Sequence, residues 1–83
     1  MKLLYFAWVK TRIGLSEEEV SLPAEVATVG QLMTWLAQRG PGYAAAFAEP
    51  ERLRAAVNQD FAALDAAVAA GDEVAFFPPV TGG

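Results

Sequence analysis

Thr28–Gly42 reads TVGQLMTWLAQRGPG, the one stretch both long and periodic enough to define a helix. The Thr28 hydroxyl can cap the first turn, Gln31 occupies the reciprocal capping-box position, and Leu32, Trp35 and Leu36 recur at helical spacing. Gly40-Pro41-Gly42 ends the run. Extended segments precede it. Lys2–Val9 (KLLYFAWV) is dense in aromatic and aliphatic side chains and predicts a strand, with Lys10–Gly14 (KTRIG) as the turn behind it. Glu17–Leu22 (EEEVSL) sets Glu17, Glu19 and Ser21 against Glu18, Val20 and Leu22, a period of two that stops at Pro23. It predicts a second strand, paired to the first as a hairpin.

Beyond the helix, Tyr43–Glu51 (YAAAFAEPE) fits either a short helix or an ordered loop, because alanine favours helix while Pro50 leaves little room for one. Leu53–Val57 (LRAAV) predicts a strand and Asn58–Asp60 (NQD) a turn. Ala62–Ala70 is alanine-rich but too short for a secure helix, Gly71-Asp72 forms a turn, and Glu73–Phe77 (EVAFF) is a strand halted by Pro78-Pro79. The order is β-β-α-β-β. One main helix packed on a mixed four- to five-stranded sheet is the economical arrangement, an α+β domain of the β-grasp type over residues 1–77, followed by a flexible Gly-Gly tail over 78–83.

The 83 residues are 54% hydrophobic and 19% charged, enough apolar material for a core and a remainder for an interface. No uncharged run approaches the roughly 20 apolar residues that span a bilayer, and no basic-then-apolar leader precedes the first strand, so the protein is expected in the cytoplasm. Cysteine and histidine are both absent, which removes disulfides, thiolate nucleophiles, imidazole bases and nearly every zinc site. The net charge of -4 repels a phosphate backbone, so nucleic acid is not an expected partner.

Little side-chain chemistry remains. Glu17, Glu18 and Glu19 are the densest acidic cluster, but neighbours on a strand point to opposite faces and no calcium loop follows, which leaves a solvated edge strand and no metal site. Neither phosphate-binding glycine pattern occurs. The aromatics are more informative. Alternation along a strand sends Phe76 and Phe77 to opposite faces, and likewise Tyr5 and Phe6. A single helical layer covers one face of a sheet, so the other is expected to be a hydrophobic docking face for another protein.

The ending, Glu73–Gly83 (EVAFFPPVTGG), follows a strand with a rigid exit and two glycines. Pro78 and Pro79 force the chain out of the sheet, and six residues reach at most ~20 Å, enough to enter a deep cleft. Gly82 and Gly83 have no side chains to obstruct a narrow channel, so the tail delivers the α-carboxylate of Gly83.

Gly71–Gly83 (GDEVAFFPPVTGG), with Ala55–Gln59 (AAVNQ) and Leu3–Gly14 (LLYFAWVKTRIG), resembles the small subunits of molybdopterin synthase, the MoaD-like sulfur carriers. The resemblance implies a ubiquitin-like β-grasp fold. It implies that a ubiquitin-activating-like enzyme uses ATP to adenylylate Gly83, that a sulfurtransferase or cysteine desulfurase system supplies sulfur, and that Gly83 becomes a thiocarboxylate (1-thioglycine). It further implies that the tail, Val80, Thr81, Gly82 and Gly83, enters the large synthase subunit and donates sulfur to cyclic pyranopterin monophosphate. Two carriers flank a dimer of large subunits in that family, a heterotetramer whose catalytic side chains belong to the large subunit. Phe6, Phe61 and Phe77, with Pro78 and Pro79, fall where the family contacts the large subunit; for Phe61 the resemblance is the sole ground. No bound cofactor is implied. The alternatives are a sulfur carrier for thiamine or tRNA thiolation, a ubiquitin-like protein modifier, and an interaction module with an inert tail.

Overall fold

The computed structural model describes Met1–Pro79. Its first strand, β1, is Lys2–Tyr5 and stops four residues before Val9. Ala7 takes φ 53, a left-handed turn that aims the chain off the sheet, and Ala7–Ile13 then form helix α1. Phe6–Val9 are therefore not strand, and Lys10–Ile13 are not turn. Val9 and Ile13, four apart, both meet the core, a helical spacing hidden inside a run that also suits a strand. Gly14, at φ 90, closes the helix by donating its N–H to the Lys10 carbonyl, and left-handed backbone is where glycine is favoured.

Strand β2 is only Glu17–Glu19, antiparallel to β1 with Glu18 opposite Leu3, and α1 stands between the two in place of a tight hairpin. Helix α2 is Val29–Ala37, capped as its sequence predicts: the Gln31 N–H donates to the Thr28 hydroxyl at 3.2 Å. The Gln31 side-chain oxygen reaches one residue past the cap and accepts from the Ala27 N–H at 2.7 Å. Gly40-Pro41-Gly42 does more than end α2. Pro41 opens helix α3, Pro41–Ala46, where a first-turn proline lacks only a donor the helix would not use. A Cβ on Gly42 would lie 2.5 Å from the Arg12 carbonyl oxygen, so glycine is what lets α3 lie against α1. A 3₁₀ turn follows at Pro50–Arg52, so Tyr43–Glu51 is part helix and part loop.

Strands β3 (Arg54–Val57) and β4 (Asp60–Ala62) form a hairpin on Asn58 and Gln59, whose φ of 51 and 73 give the mirror-image two-residue turn that matches strand twist. Asp60 thus belongs to a strand, and the unassigned Ala62–Ala70 contributes the last residue of β4 and an isolated antiparallel bridge from Ala67 to Thr28. Strand β5 is Glu73–Phe77. The sheet order is β2-β1-β5-β3-β4, with β1 and β5 parallel and the other pairs antiparallel. This is the expected mixed sheet, with α2 its longest helix and α1 and α3 as additional cover. Leu3, Tyr5, Ala55, Val74 and Phe76 turn to the helical side, where Val29, Leu32, Met33 and Leu36 of α2 complete the core. Phe47 meets Phe76 edge-on at 5.0 Å. A fully buried side chain such as Phe76 contributes about 1.5–3 kcal/mol.

Candidate functional site: the open sheet face and the tail exit

Strict alternation on β5 buries Val74 and Phe76 and leaves Ala75 and Phe77 on the side the helices do not cover. The registers extend that side across the sheet: Leu4 is opposite Ala75, Ala75 opposite Ala56, and Ala56 opposite Phe61. Small alanines in the middle make a shallow floor, and the aromatics stand at its margin. Phe61 is 85% exposed, and its ring centroid lies 5.9 Å from that of Phe77. Phe6 keeps an extended backbone one residue past β1, so it continues the alternation outward; it is 49% exposed, and its N–H donates to the Phe76 carbonyl at 3.2 Å. The three aromatics singled out in the sequence thus share one end or one face of the sheet.

Phe77 makes the last pairing of β5, opposite Arg54, and Pro78 follows at once. Pro78 and Pro79 are half-buried and share a groove with Trp8 of α1 and with Glu51 and Arg52 of the 3₁₀ turn. The Arg12 guanidinium lies 4.4 Å above the Trp8 ring. Trp8 and Arg52 were not singled out in the sequence; Trp8 sits inside the apolar run read there as strand. Val80, Thr81, Gly82 and Gly83, which carry the reactive part of the expectation, lie outside the described residues.

Glu18 corrects the reading of the acidic run. Its side chain is only 14% exposed. The Tyr5 and Tyr43 hydroxyls both donate to its Oε2, at 2.8 and 2.7 Å, and Arg39 Nη1 donates to Oε1 at 3.3 Å. Burial raises the pKa of both tyrosines, and the hydrogen bond and negative charge of Glu18 raise them further. One carboxylate therefore ties the short edge strand β2 to β1, to α3 and to the end of α2. The signal was present in the pattern: Glu18 alternates in phase with Val20 and Leu22, the inward set. Glu17 and Glu19 are exposed as expected. Among the described residues, no group of three His, Cys, Asp or Glu side chains could hold a metal ion, and no helix is long and apolar enough to cross a membrane.

The whole length from the first strand to the tail is matched by one family model, ThiS family, over residues 3–83. The chain belongs to the ThiS family. Consistent with that membership, it is 41% identical over 83 residues to the molybdopterin synthase sulfur carrier subunit of Haemophilus influenzae and 43% identical to that of Escherichia coli K12, covering 100% of this chain and 99% of each relative. The crystal structure of SAMP1 from Haloferax volcanii superposes with a TM-score of 0.73 at 32% identity, covering 100% of this chain and 98% of that one. The resemblance to MoaD-like carriers holds, and the fold is the ubiquitin-like β-grasp that the resemblance implied.

Proposed function

We propose that this chain is the sulfur carrier subunit of molybdopterin synthase, working in the cytoplasm. The observation that carries this is the 41–43% identity to two curated carrier subunits over essentially their whole length. The family match runs to Gly83 itself.

The chemistry needs no side chain of this protein. A free carboxylate is a poor acyl electrophile, so the Gly83 carboxylate attacks ATP on an adenylylating partner, displacing pyrophosphate and forming an acyl-adenylate. The persulfide of a sulfur donor then displaces AMP to give an acyl disulfide, and a thiol cleaves its S–S bond, leaving as a disulfide and releasing the thiocarboxylate, whose sulfur is a good nucleophile at neutral pH. In the large synthase subunit that sulfur passes to cyclic pyranopterin monophosphate, and water returns Gly83 to a carboxylate. Each transfer depends on placing one terminal atom, which is the task of Thr81, Gly82 and Gly83 on the rigid Pro78-Pro79 exit. The open face of Phe6, Phe61 and Phe77 holds the large subunit while the tail is inserted.

Co-purification separates this reading from its nearest alternative. The tagged carrier, expressed in its native host, is expected to retain a molybdopterin synthase large subunit; retention of a thiazole synthase in its place overturns the proposal.

A further inference from the structure

The sheet topology sorts the charges of this protein along one axis. Because β1 and β5 are parallel, α1, which follows β1, lies at the end of the sheet where β5 stops and the tail leaves. Because β3 is antiparallel to β5, its first residue, Arg54, lies at that same end opposite Phe77, and Arg52 lies just before it. Lys10, Arg12, Arg52 and Arg54 thus lie at the exit end with Glu49 and Glu51, and Asp65, three residues past the Ala62 that closes β4 at that end, leaves a balance of one positive charge. The remainder of the chain sets Lys2 and Arg39 against seven carboxylates, a balance of five negative, which restores the formal -4. Asp72 and Glu73 begin β5, Asp60 faces Val57 at the end of β3, and Glu19 faces Lys2. These lie at the opposite end.

The exit end is also built to present its cations. Arg12 is held over the Trp8 ring and donates to the Ala45 carbonyl at 3.3 Å, and Arg54 is fixed by bonds to the Leu53 and Glu51 carbonyls at 2.8 and 3.1 Å. Neither guanidinium is bonded to a carboxylate among the described residues. Arg52 pairs with Glu49, and that pair is exposed.

We propose that this cationic collar docks on an acidic rim around the cleft of the protein that receives the tail, so that the charge axis orients the carrier tail-first before the aromatic face makes contact. This rests on the proposed function for the identity of the receiver. Complementary charge acts mainly on the encounter, raising association rates and making them sensitive to salt.

The test is stopped-flow association of the full chain with the molybdopterin synthase large subunit across ionic strength. The triple variant R12Q/R52Q/R54Q is expected to associate about tenfold more slowly at low salt, with a flatter salt dependence and a nearly unchanged dissociation rate. A second variant, E19Q/D60N/E73Q, changes the net charge by a similar amount at the far end and is expected to leave association within about twofold. Equal effects of the two variants, or no effect of the first in a well-folded protein, overturn the collar while leaving the sulfur-carrier reading intact. Failure of the unaltered chain to bind the large subunit overturns both.

Discussion

Phe77 and Phe61 touch on the open face with centroids 5.9 Å apart, and in the proposed function they are the anchors of the interface. Phe77→Ala is expected to weaken binding to the large subunit by about 2 kcal/mol, measured by titration calorimetry, while Gly83 remains a substrate for adenylylation. Unchanged affinity would remove Phe77 from the docking face. Combining it with Phe61→Ala should give less than the sum of the two losses, since each ring packs on the other. On the opposite side of the sheet, Glu18 accepts from the hydroxyls of both tyrosines in the chain, Tyr5 and Tyr43. Glu18→Ala leaves those donors without a partner and is expected to cost about 2–3 kcal/mol of folding stability by urea denaturation, whereas Glu18→Gln, which keeps an acceptor, should cost less. Both phenols have folded pKa values raised above the ordinary 10.0, first by burial and then by Glu18. A folded pKa above the unfolded one stabilises fully below pH 10 and is lost as pH rises through the folded values. Phenolate absorbance should therefore appear only above pH 10 in the native protein, and at lower pH in Glu18→Gln. Two phenols titrating at the ordinary value in the native protein would exclude the network. That one ring of each pair, Phe76 or Phe77 and Tyr5 or Phe6, faces outward was legible from alternation, and the resemblance picked Phe77 and Phe6, whereas the inward pull on Glu18 was masked by two exposed glutamates beside it.

Among the elements, α2 was legible because cap, periodicity and stop signal agree within a single window. α1 was not, because FAWV satisfies a strand's composition and only the left-handed Ala7, a tertiary choice, ends the strand early. β4 was hidden for a different reason: three residues give no period, and its pairing depends on an Asn58-Gln59 turn without the usual glycine. The contact between α1 and α3 rests on one missing atom. Gly42→Ala places a methyl group against the Arg12 carbonyl, which backbone must move to relieve. Its expected cost is about 1–3 kcal/mol in thermal or urea unfolding. A variant as stable as the parent would show that the two helices do not pack at this distance.

At the scale of the whole molecule, the fold is a rigid holder for a chain end. Its central pairings, parallel β1 on β5 with antiparallel β3 on the other side, fix where β5 ends, and in the proposed function the open face and the charge axis present that end to a partner. The strand and its proline exit were legible in the order of Glu73–Pro79, where alternation runs straight into two prolines, while the residues beyond Pro79 lie outside the described ones. Position then matters more than composition. Adding one residue after Gly83 leaves the fold and docking face untouched but displaces the carboxylate by ~3.5 Å, and sulfur transfer is expected to vanish while binding to the large subunit persists. Full activity of the extended carrier would refute the terminal carboxylate as the working group. The most direct measurement is fragment mass spectrometry of the carrier after incubation with the adenylylating enzyme, ATP and a sulfur donor. The fragment ending at Gly83 should gain the mass of one sulfur replacing one oxygen. Oxidation of Met1 or Met33 gives nearly the same increase, so the gain must be localised to that fragment. A terminal fragment of unaltered mass, in a carrier that is folded and bound by the enzyme, would contradict the account.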